Sequence, residues 1–220
     1  MTGNSDSVCG GWRGLARAAR SFMPILAVCS LWALVVILDV VVMRSRCAEG
    51  SIVEWTQFLL VAASGAMMAA LAVRSPRARG AFVLAAAFFF DMAIREQDGL
   101  LDSLLWHGSW AAIVAMVTVA AFSIAFAKRC RTTVLSGLSE MTASRSFLLL
   151  AVGLAIILGI SRVMGMKFLW CAFGSMSELS YAKRIVEESL ELLGYGLVFA
   201  WVLGFSLERR VPAGSREAAS

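Results

Sequence analysis

Six long apolar runs constrain the fold of this 220-residue chain more than any other feature. They cover residues 22–43, 52–73, 81–100, 109–127, 146–164 and 184–207. Each is close to the roughly 20 helical residues that cross a hydrocarbon layer of about 30 Å. The runs are rich in Ala, Leu and Met and lack the alternation of barrel strands. The sequence therefore predicts an all-α integral membrane protein, a bundle of six transmembrane helices.

The composition agrees with this class and excludes several others. Hydrophobic residues make up 60% of the chain and charged residues 16%, and the mean hydropathy is +0.78. A disordered chain, a disulfide scaffold or a nucleic-acid-binding module would carry more charge and shorter apolar runs. We therefore predict an N-terminal tail over residues 1–21, a transmembrane domain over residues 22–207 and a C-terminal tail over residues 208–220.

The basic residues predict the orientation. The two predicted tails and the second and fourth loops hold 13 of the 20 Lys and Arg residues. Because cytoplasmic loops of membrane proteins are enriched in Lys and Arg, both tails are expected in the cytoplasm. The first run is too long for a signal peptide, so we expect an uncleaved first span of a multi-pass protein in a bacterial-type inner (plasma) membrane. The net charge of +5 follows from this bias and requires no nucleic-acid partner.

The third run carries charges that it cannot avoid placing in the membrane. Its uncharged stretch, residues 81–90, spans only about 15 Å as a helix. The charged residues that follow are spaced i, i+4, i+7 and i+11, which is one helical face, and are Asp91, Arg95, Asp98 and Asp102. We expect this face to point into the bundle, because charges in a bilayer are costly unless they are paired or hydrated.

The second and sixth runs place polar residues at the same predicted depth. The sixth run repeats the spacing of the third with Arg184, Glu188, Glu191 and Tyr195. Glu54 and Gln57 lie one turn apart at the start of the second run. Asp39 and Arg162, near the ends of the first and fifth runs, are predicted to complete a ring. Eight carboxylates in this region outnumber four bases, so the surplus must be protonated, hydrated or bound to a cation.

This cluster suggests an enzyme acting at the extracytoplasmic face on a membrane lipid or a lipid-linked small molecule. The candidate catalytic residues are Glu54, Arg95, Asp98, His107, Glu188 and Glu191. Carboxylates one turn apart can activate a water molecule or bind a hard cation, and an arginine can hold a phosphate or carboxylate group. One divalent metal ion is the cofactor that these residue types suggest, and its candidate ligands are Glu54, His107, Glu188 and Glu191.

Two other interpretations of the cluster stay open at this point. It could serve proton or cation transport, with Asp91 as the deepest carboxylate, or it could be a structural layer of salt bridges that sets helix register. His107, the only histidine, could equally be a hydrogen-bonded residue at the membrane interface. Five cysteines show no paired metal or redox spacing, and a disulfide between Cys47 and Cys171 is left open.

Overall fold

The computed structural model of the chain describes residues 4–45, 47 and 50–210. It is 85% helical and has no strand within these ranges. The all-α class is therefore confirmed. Four helical segments are long and apolar enough to cross a membrane, and they are Phe22–Val42, Ile52–Arg74, Phe147–Met164 and Met176–Arg209.

The first half of the chain contains five helices. Helix α1 covers Asn4–Ile37 and continues through a π-helical turn at Leu38–Val42. The others are α2 (Ile52–Arg74), α3 (Arg79–Glu96), α4 (Asp98–Leu104) and α5 (Ser109–Ala125). A 3-10 turn at Pro76–Ala78 joins α2 to α3. Ser51 caps the start of α2, because its side chain accepts a hydrogen bond from the Glu54 amide.

The second half ends in the longest helix. This helix is α10 (Met176–Arg210). It is preceded by α6 (Arg131–Thr142), α7 (Phe147–Ala155), α8 (Ser161–Met164) and α9 (Lys167–Cys171). A π-helical turn at Ile156–Ile160 joins α7 to α8, so these three form one continuous segment. The 35 residues of α10 extend about 52 Å, which exceeds the hydrocarbon thickness of a bilayer.

Two of the six predicted runs do not form, by themselves, a helix that is long and apolar enough to cross a membrane. Helix α3 is not among the apolar candidate spans, since four of its 18 residues are charged. Helix α5 reaches the required length only together with α4, and these two helices meet at an angle of 110°. The predicted third run, residues 81–100, is broken at Gln97, which is the C-cap of α3. Asp98 and Asp102 therefore lie on α4, and not on the helix of Asp91 and Arg95 as the predicted stripe required.

At the centre of the bundle α2 packs against both α3 and α10, while α5 covers α3 and α7 covers α10. Large buried side chains such as Phe82 and Trp201 fill this core, and Trp201 stacks on Phe205 with ring centroids 5.4 Å apart. Helices α7 and α10 approach closely where Gly153 meets Gly194, because neither residue has a side chain to separate the backbones.

Candidate functional site

The ends of α2, α3, α8 and α10 surround a cavity of about 250 Å³. We call it the charged cavity, and its lining consists of Cys47, Glu54, Arg95, Glu96, Asp98, Arg162, Arg184, Glu187, Glu188 and Glu191. Six of these residues are acids and three are arginines, so every lining side chain except the thiol of Cys47 carries an ionisable acid or base. A cavity with this lining suits a small polar ligand and not an apolar one.

The structure brings five of the six candidate catalytic residues into this lining. They are Glu54, Arg95, Asp98, Glu188 and Glu191. Four further lining residues were not among the candidates, and they are Glu96, Arg162, Arg184 and Glu187. Local sequence signals for them exist, since Glu96 follows Arg95 directly and Arg184 lies one helical turn before Glu188.

Part of the cavity wall is a balanced group of charges that we call the paired layer: Arg95, Glu96, Arg162 and Glu191. The carboxylate of Glu191, a residue only 3% exposed, accepts hydrogen bonds from Arg162 and from Ser161 Oγ, the latter at 2.9 Å. Arg95 Nη2 lies 3.9 Å from the other oxygen of Glu191. Each buried carboxylate oxygen thus has a cationic or hydroxyl neighbour, as buried charges require.

Glu96 is held in the same layer from two sides. Its Oε1 accepts a hydrogen bond from the Tyr195 hydroxyl at 2.7 Å and another from Arg95 Nη2 at 3.2 Å. Tyr195 lies one turn beyond Glu191 on α10 and is itself buried. The paired layer therefore contains two carboxylates and two guanidinium groups, and it connects α3, α8 and α10.

Three other lining residues form what we call the open layer: Asp98, Arg184 and Glu188. None of them makes a salt bridge with another residue that the structure describes. The Glu188 carboxylate accepts a hydrogen bond from Gln57 Nε2 at 3.2 Å, and that of Asp98 accepts one from the Gly99 amide at 2.6 Å. Neutral donors leave these carboxylates without a countercharge, so the open layer is where a charged ligand would gain most.

Two more acids of the lining have partners of their own. Glu187 forms a salt bridge with Lys183, 2.7 Å away and one turn earlier on α10. Glu54 accepts a hydrogen bond from the Gly50 amide at 2.6 Å, which places its carboxylate at the start of α2. The acids of the lining outnumber its arginines, and the negative charge that is not paired lies toward the open layer.

Asp39 has a different role from the one that its position suggested. It was predicted to belong to the charged ring, but it does not line the cavity. Its fully buried carboxylate accepts hydrogen bonds from the Ser45 hydroxyl, from the Cys47 amide at 2.9 Å and from the Ile52 amide at 3.0 Å. Asp39 thereby satisfies the backbone of the loop between α1 and α2.

Cys47 lies in this loop with its backbone in the left-handed region, at a φ of 54°. Burial raises the pKa of the Cys47 thiol to about 12, and the nearby Asp39 carboxylate contributes to the increase. Both Cys47 and Cys171 are free thiols, the first buried and the second exposed. The disulfide left open by the sequence is not formed in this structure.

His107 is the candidate that the structure does not bring to the cavity. Its Nδ1 lies 2.8 Å from Asp102 Oδ2, and its side chain is fully exposed. Asp102 also accepts a hydrogen bond from the Gly108 amide, so the pair closes the corner between α4 and α5. The other proposed metal ligands, Glu54, Glu188 and Glu191, line the cavity, so the predicted set of four ligands is not brought together. Within the described ranges, no group of three or more His, Cys, Asp or Glu residues is arranged to hold a metal ion.

Asp91 also lies apart from the charged cavity, deeper along α3. Its Oδ2 accepts a hydrogen bond from the Thr118 hydroxyl of α5 at 2.7 Å. Its Oδ1 is buried and has no hydrogen-bond partner among the described residues. Asp91 is not among the residues that line the charged cavity, and Asp98 of the open layer lies seven residues further along the chain.

Comparison of the chain with protein-family models, with curated proteins and with solved structures found no match. The function is therefore inferred from the chemistry of the charged cavity.

Proposed function

We propose that the chain is a six-span inner-membrane protein with both termini in the cytoplasm, whose charged cavity opens at the extracytoplasmic face. Four apolar candidate spans, and a fifth if α4 and α5 form one broken span, support part of this topology. We take α3 as the remaining span. The distribution of Lys and Arg supports the orientation. In this arrangement, α3 crosses the membrane within the bundle because its charged end faces other polar groups and not lipid.

We further propose that the charged cavity binds the positively charged group of a polar substrate, with Glu188 as the acid/base group. The observation that carries this proposal is the division of the lining into the paired layer and the open layer. The guanidinium groups of Arg95 and Arg162 are already engaged with Glu96 and Glu191. A cation entering the cavity would therefore meet Glu188 as a carboxylate that is positioned by Gln57 but has no countercharge.

The paired layer also supports a second role, which is to set the register of the helices. The contacts of Glu191 with Ser161 and Arg162 join α10 to α8, and Tyr195 joins α10 to α3. A structural salt-bridge layer and a binding site can thus coexist in one cavity, carried by different residues. Cation transport receives less support, because Asp91, the deepest carboxylate, does not line the charged cavity.

Binding can be tested on the purified full-length protein in nanodiscs. Ethanolamine is the probe, and ethylene glycol, which has a hydroxyl in place of the ammonium group, is the uncharged control. We expect calorimetric titration at millimolar concentrations to detect ethanolamine and not ethylene glycol. Glu188→Gln should weaken ethanolamine binding roughly tenfold, as expected for one charge-assisted hydrogen bond.

The matched control is Glu178→Gln, which removes a carboxylate from the exposed start of the same helix and outside the cavity. It should leave ethanolamine binding unchanged. Equal binding by the wild type and Glu188→Gln, or equal loss in both variants, would rule out the proposed site.

The topology has its own test in intact cells. Ser103 and Ser136 are both exposed, in α4 and α6 respectively. In a cysteine-free background, we expect a membrane-impermeant maleimide to label Ser103→Cys and not Ser136→Cys. Labelling with the opposite preference would reverse the orientation, and labelling of both would remove the six-span arrangement.

A further inference from the structure

We propose that the ligand of the charged cavity is the headgroup of an aminophospholipid, with its ammonium group on Glu188 and its phosphate on Arg184. This inference rests on the proposed function and names the substrate class. It goes beyond cation binding because it requires an anion site in the same cavity. The structure contains the residues for both ends of such a zwitterion.

Arg184 is the cation that is available for the phosphate. Three arginines line the cavity, and two of them belong to the paired layer. Arg184 is exposed and forms no salt bridge within the described part of the chain. A guanidinium group is well suited to a phosphate because it can donate two parallel hydrogen bonds.

The spacing of the two open-layer residues on α10 matches a short zwitterion. Arg184 and Glu188 are four residues apart, so they lie on one face of the helix and are separated by about 6 Å along its axis. In phosphoethanolamine, the phosphate and the ammonium group are joined by only two carbon atoms. One such headgroup could therefore contact both side chains at once.

The depth of this pair sets how a headgroup would enter the cavity. Arg184 is nearer to the free end of α10 and Glu188 lies one turn further into the bundle, so the ammonium group would enter first. The cavity of about 250 Å³ has room for a headgroup but not for acyl chains. In the sequence, Trp55 follows Glu54 and Leu100 lies two residues after Asp98, and each is 46% exposed. These apolar side chains would contact the glycerol and the first acyl carbons outside the cavity.

The contribution of the anion site can be measured with water-soluble ligands and the full-length protein. The probes are ethanolamine, glycerophosphoethanolamine and glycerophosphocholine. We expect glycerophosphoethanolamine to bind roughly tenfold more tightly than ethanolamine, because it adds charge-assisted hydrogen bonds to Arg184. Glycerophosphocholine should bind more weakly than glycerophosphoethanolamine, since its quaternary ammonium group has no N–H to donate to Glu188.

Two variants separate this inference from the proposed function. Arg184→Gln should make glycerophosphoethanolamine bind no more tightly than ethanolamine does to the same variant. Ethanolamine binding should not weaken, because the substitution removes a positive charge near the ammonium site. Lys167→Gln, which removes an exposed cation outside the cavity, is the control and should change neither affinity. If ethanolamine binds but the phosphate adds nothing, the headgroup inference is overturned and the cation site stands. If ethanolamine itself does not bind, the proposed function fails.

A second measurement distinguishes a lipid from a free solute of the same chemistry. The protein is reconstituted in nanodiscs with equal amounts of phosphatidylethanolamine and phosphatidylcholine, and the retained lipids are identified by native mass spectrometry. We expect enrichment of phosphatidylethanolamine in the wild type and in Lys167→Gln, and its loss in Glu188→Gln. Arg184→Gln should retain less of both lipids, because both carry the phosphate group. Binding of glycerophosphoethanolamine without enrichment of the lipid would overturn the assignment to a membrane lipid.

Discussion

Gln57 of α2 donates hydrogen bonds from Nε2 to both the backbone carbonyl oxygen of Glu188, at 2.9 Å, and its carboxylate, at 3.2 Å. The Gln57 side chain is fully buried, and its Oε1 has no partner among the described residues. One amide therefore fixes both the position of α10 against α2 and the orientation of the Glu188 side chain. This contact explains why Glu188 can face the cavity without a cationic neighbour.

Gln57→Leu should consequently weaken both ligand binding and the fold. Removing the amide deletes two hydrogen bonds to Glu188, but it also removes the unpartnered Oε1. We expect the free energy of unfolding to fall by about 1 kcal/mol. Ethanolamine binding should fall several-fold because Glu188 loses its orientation. The control is Thr56→Val, since the Thr56 hydroxyl bonds only within its own helix, to the Ile52 carbonyl oxygen. Unchanged ethanolamine affinity in Gln57→Leu would contradict a positioning role.

The two layers of the cavity predict different effects on stability for two chemically identical substitutions. Glu191→Gln should destabilise the protein by about 1 to 3 kcal/mol, because Arg162 and Arg95 lose their shared carboxylate. The partial exposure of both guanidinium groups limits the cost, since they can regain water. Glu188→Gln should change stability little, because Glu188 makes no salt bridge with a described residue. Unfolding of the two variants in the same detergent tests this, and equal losses would show that the division into layers is wrong.

The close contact between α7 and α10 predicts a strong effect of adding one methyl group. A Cβ atom at Gly194 would lie 2.5 Å from Cγ1 of Ile157 and 2.9 Å from the carbonyl oxygen of Gly153. Gly194→Ala should therefore lower the free energy of unfolding by about 1 to 3 kcal/mol. Gly159→Ala is the matched control, because a Cβ there would have no atom within 4 Å. Thermal unfolding should separate the two variants, and similar melting would mean that the helices do not approach as described.

The environment of Cys47 predicts how its labelling depends on pH. Its pKa of about 12 reflects burial first and the Asp39 carboxylate second, and both disfavour the thiolate. Because maleimide reacts with the thiolate, Cys47 should stay largely unlabelled at pH 7 to 9 and react only as the pH approaches its pKa. Cys171 is exposed and serves as the internal comparison. Quantification by mass spectrometry checks this, and similar labelling of both cysteines at neutral pH would contradict the buried position.

Replacing Asp39 tests the cause of this shift. Asp39→Asn removes the negative charge, so labelling of Cys47 should begin at lower pH than in the wild type. Burial alone should keep the thiol protonated at neutral pH in this variant. The comparison thus separates the charge of Asp39 from the burial of the loop.

The sequence by itself determined the helical membrane class and the end of the bundle where polar residues gather. Run length and the i, i+4, i+7 spacing are properties of single helices, so they are readable without knowing how helices pack. For this reason Glu54, Arg95, Asp98, Glu188 and Glu191 could be expected together.

Only the tertiary structure decided which carboxylates are paired with a neighbouring group. The partners of Glu191 and Glu96 are 29 and 99 residues distant in the chain, in Arg162 and Tyr195. The exclusion of His107 has the same origin, because it follows from the break at Gln97 and the angle between α4 and α5.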